Sequence, residues 1–266
     1  MNKKEVLIKK VYCLLKRVGA PTHLNEVGPK TYSLAEKIYA LFLRSEWKAS
    51  FRRTAKLCND LGIKCPSKST LQYTLARVPW IFIKNMLKAT ITQQPHLAAI
   101  DGSTLSTGRL SEYYVMRACI DRRERPETKI SIMIDTQNKK ILSARFRKKV
   151  RHDIKDVKYL LRESSSKPIK LVADKGYDAE WFRALLIEQG IDCCIPTKGK
   201  VRRGYYRKRS KCDKRTYRRR PMVESTFFTL KQLYGRSVSC VKARSMRAEV
   251  LIRMILYNIN LLLKTI

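Results

Sequence analysis

An ordered succession of short apolar runs between residues 97 and 196 constrains this chain more than any other feature. Leu97-Ala98-Ala99-Ile100 ends at Asp101-Gly102, as a buried strand entering a turn does. Residues 113–120 and 129–134 read as two further strands. Thr136-Gln137-Asn138-Lys139 reads as a hairpin turn, from which residues 140–146 return. An amphipathic helix opens near Asp153, with Val157, Leu160 and Leu161 on its inner face. Residues 169–173 make another strand, running into Asp174-Lys175-Gly176-Tyr177. Trp181, Leu185, Leu186 and Ile187 mark a second helix closed by Gly190, and residues 191–196 form a last strand. Hairpin-linked strands followed by helix, strand, helix, strand specify an α/β chain, a mixed β-sheet flanked by helices.

The first ninety or so residues have a different texture. Leu34, Ile38, Leu41 and Phe42 keep helical spacing, as do Phe51, Ala55, Cys58 and Leu61, and Gly62 stops that helix. Pro66-Ser67 starts another, lined by Leu71, Leu75 and Val78, which leaves Lys68, Gln72 and Arg77 facing outward. Two helices joined by a short glycine-containing connection fit a helix-turn-helix reader of DNA. They also fit any pair of packed helices in a small bundle.

Charge narrows the partner. Lys and Arg number 58 against 22 Asp and Glu, a formal net charge of +36, which a polyanion would offset. Nucleic acid, ribosome and anionic membrane all qualify. Between residues 198 and 220, 13 of 23 positions are Lys or Arg, Asp213 is the one acid, and Tyr205, Tyr206 and Tyr217 are interleaved. That texture suits a segment that tracks phosphates and stays loose until nucleic acid binds. The longest apolar stretch, residues 250–263, is broken by Arg253, Asn258 and Asn260, so a buried C-terminal helix is expected and no membrane span. No signal peptide is read at the start, so the expected location is cytoplasmic, with the nucleoid. The 8 cysteines form no C-x-x-C pair, which disfavours zinc and points to free thiols in a reducing compartment.

The acids carry the chemistry. Metal-dependent phosphodiester cleavage uses carboxylates on rigid elements to hold divalent ions. Asp101 and Asp174 follow two apolar strands, and Glu224 falls in the first turn of a later helix, which would gather all three at one sheet edge. Taken singly, each also has an ordinary local reading, as a strand-ending turn or as a complement to a helix dipole. The surroundings of Glu224 are more specific. Tyr217, Arg220, Glu224 and Lys231 give the pattern Y-x2-R-x3-E-x6-K. It sets a phenol, a guanidinium and an ammonium around one acid, the groups that hold a phosphate chain across a metal-binding carboxylate. Pro221 suits a helix start, which leaves Tyr217 and Arg220 just ahead of the helix.

This pattern resembles the Y-R-E-K signature of DDE transposases from prokaryotic insertion sequences, in the group that includes insertion sequences four and five. Ala99-Ile100-Asp101-Gly102-Ser103 is similar to the group's first-aspartate strand, and the stretch from Val172 to Asp178 to its second-aspartate box. His152-Asp153 looks like a recurrent pair there. The resemblance covers residues 97–263 and implies a ribonuclease-H-like core holding two Mg²⁺ or Mn²⁺ ions. It also implies action on terminal inverted repeats and target DNA, and a homodimer on paired ends. The expected organisation is a helical region over 1–92 and a catalytic domain over 93–266.

On this reading Asp101, Asp174 and Glu224 are the ligands. Tyr217, Arg220, Lys231, Arg218, Arg219 and Lys175 contact DNA, as do Lys68, Gln72 and Arg77 from the N-terminal region. His152 and Asp153 border the site, with Asp153 reading equally as a helix cap, and Asp178 is expected to cap the next helix. Two alternatives remain open from sequence: a nuclease or resolvase of the same fold that cuts without joining, and a catalytically retired DNA-binding protein.

Overall fold

The computed structural model describes residues 3–24, 30–107, 127–199 and 204–264. The chain divides into two compact units, one formed by Met1–Thr90 with Leu230–Ile266, the other by Ile91–Thr229. The expected strand at residues 113–120 lies outside the described residues.

The first unit is helical. Its N-terminal part contains α1 (Lys3–Arg17), α2 (Leu34–Glu46), α3 (Phe51–Asp60), α4 (Lys68–Arg77) and α5 (Trp80–Ala89). Local chemistry sets several of the starts. Ser33 accepts from the Glu36 N–H while the Glu36 carboxylate accepts from the Ser33 N–H, a reciprocal cap on α2. Ser50 and Ser67 cap α3 and α4 in the simpler way. Gly62, at φ +64°, takes the left-handed conformation just past the end of α3.

In the second unit come β1 (Leu97–Thr107), β2 (Glu127–Asp135), β3 (Ile141–Arg147), a 3-10 turn over Asp153–Asp156, α6 (Val157–Glu163) and β4 (Lys170–Val172). A second 3-10 turn over Lys175–Tyr177 follows, then α7 (Glu180–Glu188), β5 (Asp192–Cys194), α8 (Tyr205–Arg209) and α9 (Lys214–Tyr217). The strands lie in the order β3-β2-β1-β4-β5. β2 runs antiparallel to both neighbours, with Asp101 opposite Ile132, while β1, β4 and β5 are mutually parallel. This is a mixed β-sheet flanked by helices, as the order of apolar runs led to expect. Helices α6 and α7 bury Leu160, Leu161, Phe182 and Leu186 against Ala98, Ile100 and Leu171 of the sheet.

One strand is longer than its apolar run. β1 continues through Asp101-Gly102 to Thr107, so Asp101 lies within the strand and not at a turn. Gly102 is there for a different reason. A Cβ at this position would stand 1.9 Å from the Asp153 Oδ1, so a side chain here would push the Asp153 carboxylate off the strand. That turn is fastened by Asp156, which accepts from Ser131 Oγ at 2.8 Å and pairs with Arg145 and Arg147 at 3.2 and 2.5 Å.

Helix α10 (Pro221–Tyr234) crosses the division between Thr229 and Leu230, and the short strand β6 (Ser237–Val238) and α11 (Ala243–Lys264) complete the first unit. The polar residues that interrupt the C-terminal apolar stretch each find partners inside this unit, although Nε of Arg253 is enclosed without one. Asn258 donates to Thr90 Oγ1 at 2.8 Å, and Asn260 to the Tyr234 hydroxyl at 3.1 Å. Arg253 donates to the Ser237 carbonyl at 2.9 Å and to Glu249 at 2.7 Å, and Arg44 of α2 approaches the same carboxylate at 3.3 Å. No described helix is long and apolar enough to cross a membrane.

Not every cysteine is a free thiol. Cys194 and Cys212 form a disulfide, their Cα atoms 4.4 Å apart, whereas Cys13, Cys58, Cys65, Cys193 and Cys240 are free. The 18-residue separation of the pair carries no spacing signal, because the approach is made by folding of the basic segment back onto β5.

Glu249 neutralises two otherwise enclosed arginines, so Glu249→Gln should destabilise the protein by about 3–5 kcal/mol, the usual cost of breaking a buried ion pair from one side. A urea unfolding curve with an unchanged midpoint would contradict this account of the helical unit.

Candidate active site

Asp101 is held on β1 by two contacts. Its Oδ1 accepts from the Gly102 N–H at 2.8 Å, and its Oδ2 accepts from Arg220 Nη2 at 3.0 Å. Burial, with the charges of Asp153 and Glu224 adding to it, raises its pKa above the usual carboxylate range. The Gly102 N–H and Arg220 act in the opposite direction.

Asp174 follows β4 directly. It accepts from the Lys175 N–H at 2.7 Å and so caps the second 3-10 turn. The Tyr217 hydroxyl donates to its carboxylate. Burial and then this neighbouring acid raise the phenol's pKa, which keeps it a donor at neutral pH. Glu224, in the first turn of α10, accepts from Arg220 Nη1 at 2.5 Å.

Arg220 therefore joins an acid on the sheet to an acid on the helix, and Asp174 also acts on it. Although burial opposes its charge, Asp101, Glu224 and Asp174 together raise its pKa, so it remains a guanidinium. The three acids named from sequence thus surround one cation within the unit formed by Ile91–Thr229. Among the described residues no three His, Cys, Asp or Glu side chains converge closely enough to hold a metal ion directly. The guanidinium stands between two of the candidates.

The other expected residues are placed as follows. Arg218, Arg219 and Lys175 are exposed. Lys231 lies seven residues beyond Glu224 on the same helix, about two turns at 3.6 residues per turn. Lys68, Gln72 and Arg77 are exposed on α4, where the Arg77 guanidinium covers the ring of Tyr73 at 4.7 Å. His152 is exposed and makes no side-chain cap.

Asp153 is not a cap either. It pairs with Lys129 at 2.6 Å, beside Gly102. Lys129 was not visible as a site residue from sequence, where one lysine in an apolar strand gives only a weak signal. Its side chain is 7% exposed, and it also donates to the Arg151 carbonyl.

Asp178 departs from expectation in the same way. Ala179 occupies the cap position of α7, without a side-chain bond. The Asp178 carboxylate, fully buried, instead accepts from Arg183 at 3.0 Å, from Arg207 at 2.5 Å and from the Lys198 N–H at 2.8 Å. The contact with Arg183 outcompetes a local cap because that guanidinium is fully buried and has no water around it.

This hub also orders the basic segment. Glu180 accepts from the N–H groups of Tyr206 and Arg207 at 2.7 and 3.1 Å. Gly204, at φ +103°, leaves room that a Cβ would take from the Glu180 carboxylate. Over residues 204–220 the segment is consequently folded as α8 and α9 and anchored, not loose. It leaves Lys208, Arg209, Lys211, Lys214, Arg215, Arg218 and Arg219 exposed. Tyr205 is exposed as well, under the Arg209 guanidinium at 4.0 Å.

Burial alone would raise the Asp178 pKa, but the bonds from Arg207, the Lys198 N–H and Arg183 outweigh it, and the pKa is lowered. A carboxylate with a folded-state pKa below its unfolded value of about 3.9 contributes stability that is present above that value and lost as pH falls through the folded one. Asp178→Asn should therefore be less stable than wild type by a constant offset above about pH 5 and should lose less stability than wild type below it. Parallel unfolding curves at pH 7 and pH 3 would contradict this.

Comparison with known proteins bears on what such a site does. A family model described as the transposase DDE domain matches residues 92–259. No curated protein matches the sequence. Among solved structures, a piggyBac transposase synaptic complex with hairpin DNA is similar at 14% identity and a TM-score of 0.46, over 97% of this chain and 73% of that one.

Proposed function

The chain belongs to the transposase DDE domain family, and from that premise we propose that Asp101, Asp174 and Glu224 are its metal-ligating catalytic triad. It is a DNA transposase, and the family implies use of a divalent metal. The finer reading is two Mg²⁺ or Mn²⁺ ions, cleavage at terminal inverted repeats, and transfer of the freed 3′-hydroxyl into target DNA. The observation that carries it is the gathering of the three acids around Arg220, with Tyr217 donating to the third.

The residues fit a hard divalent cation in chemistry. All three are carboxylates, the oxygen donors such ions prefer, and Asp101 and Glu224 already turn their oxygens to one positive group. When bound, the metal supplies activation of the attacking oxygen and neutralises charge at the leaving one. Arg220 donates to two of these carboxylates. Released from the carboxylates, it stands next to the scissile phosphate, where a planar guanidinium binds two phosphate oxygens at once.

Lys231 extends the grip along the same helix, and Tyr217 is placed to contact a base or sugar once it leaves Asp174. The anchored basic segment carries the phosphate chain past these groups, and the exposed Lys68, Gln72 and Arg77 on α4 read the element's end. The order Tyr217, Arg220, Glu224, Lys231 supports a place in the insertion sequence four and five group, acting as a homodimer on paired ends.

The test uses purified protein, Mn²⁺, a labelled duplex ending in the repeat that flanks the gene, and a supercoiled plasmid. Wild type should join label to plasmid. Asp174→Asn should lose this by more than about 100-fold, because a direct ligand matters more than an outer-shell partner. Equal joining by the variant would overturn the assignment, and cutting without joining would mark a nuclease.

A further inference from the structure

Besides Nε of Arg220, two polar atoms next to Asp101 are enclosed by protein and lack a hydrogen bond. One is the hydroxyl of Tyr177, a residue 2% exposed. The other is Oδ1 of Asp153. They belong to the two 3-10 turns, Asp153–Asp156 and Lys175–Tyr177, which pack against each other. Buried polar atoms are nearly always paired, and each exception calls for an explanation. The Tyr177 hydroxyl has no role above, and Asp153 has only its ion pair with Lys129.

Their surroundings define what would satisfy them. Asp153 presses its Oδ1 against the Gly102 backbone, one residue from Asp101, where any side chain at position 102 would exclude it. The charge of that oxygen is already balanced, since the Lys129 ammonium lies 2.6 Å away. Lys129 gives one of its three hydrogens to the Arg151 carbonyl, and its approach to Asp153 is an ion pair without hydrogen-bond alignment. Held between Lys129 and the Gly102 backbone, this carboxylate is placed as an acceptor for a neutral donor.

The phenol complements it. Its pKa is raised, first by burial and then by Asp153 and Asp101, so it keeps its proton. It can give that hydrogen to Asp153 and still accept one through its oxygen. The two side chains therefore offer acceptors, on the protein side of Asp101, to a donor that carries more than one hydrogen. Divalent ions such as Mg²⁺ retain several waters when bound by one or two carboxylates, and those waters are strong donors.

We infer that Tyr177 and Asp153 are positioning residues that accept hydrogen bonds from the water shell of the divalent ion at Asp101, with Lys129 fixing Asp153 as an outer partner and not a fourth ligand. The inference rests on the reading of Asp101 as a metal ligand. It assigns a purpose to the lysine on β2, to the glycine at position 102 and to the tyrosine that ends the second 3-10 turn. Outer-shell partners of this kind set metal affinity by about 10–100-fold without touching the metal.

The experiment is a calorimetric titration of the full chain with Mn²⁺, paired with urea unfolding in EDTA, for wild type, Tyr177→Phe, Asp153→Asn and Asp101→Asn. Tyr177→Phe is the decisive variant, because the atom it removes holds no bond in the fold and its EDTA stability should equal that of wild type. Its Mn²⁺ affinity should fall about 10-fold, Asp153→Asn should weaken binding similarly, and Asp101→Asn should weaken it most. Wild-type affinity in Tyr177→Phe, beside a weakened Asp101→Asn, would overturn this inference and leave the triad standing. Wild-type affinity in Asp101→Asn as well would remove the triad reading and this inference with it. A Tyr177→Phe chain less stable in EDTA would show the hydroxyl serving the fold and would also overturn the inference.

Discussion

The rest of the site depends on the Arg220 guanidinium lying between Asp101 and Glu224. Carboxylates brought to one edge of a sheet repel each other, and burial around Asp101 adds to the cost of its charge. A fixed cation at their centre offsets both effects. It also ties α10 to β1 across 119 residues of sequence, so that an acid on a helix and an acid in a strand come to one place.

Around this centre the scaffold is built from buried charges as much as from apolar packing. Asp156 binds the first 3-10 turn to β2 and β3, and that turn carries Asp153 to the sheet. Asp178, with Arg183 and Arg207, does the same for the basic segment. Glu249, with Arg44 and Arg253, organises the helical unit. In a chain with a net charge of +36, each of these three acids gathers two arginines, which lowers internal repulsion while leaving the exposed lysines and arginines for a polyanion. Such sites tolerate little change, since loss of one partner leaves an enclosed charge unpaired.

Much of this was legible in sequence where a local rule and the tertiary demand agree. The apolar runs at 129–134 and 140–146 became β2 and β3, and Pro66-Ser67 marked the start of α4. Pro221 does open α10, with Tyr217 and Arg220 ahead of it. Reading failed where a long-range partner overrides the local rule. Asp101-Gly102 has the composition of a turn, but the glycine answers to Asp153 from 51 residues away, and the strand runs on. Asp153 and Asp178 stand where caps are common, yet each is claimed by a basic residue from another element. The basic segment has the composition of a loose tract. Its order comes from Glu180 and Asp178, which lie before it in the chain and show no sign in the sequence of facing it. Chemistry that needs pairs from distant elements leaves only single residues in the sequence, and the site is readable there mainly because Tyr217, Arg220, Glu224 and Lys231 fall close together.

The central claim is that Asp101, Asp174 and Glu224 share one metal site. Its most direct test replaces the native ion with Fe²⁺ and adds ascorbate and peroxide, so that hydroxyl radicals generated at the bound ion cut the nearby backbone. Fragments ending close to residues 101, 174 and 224, suppressed together by excess Mg²⁺, are the result this account predicts. Cuts at only one of the three positions, or cuts elsewhere that Mg²⁺ suppresses, would contradict it.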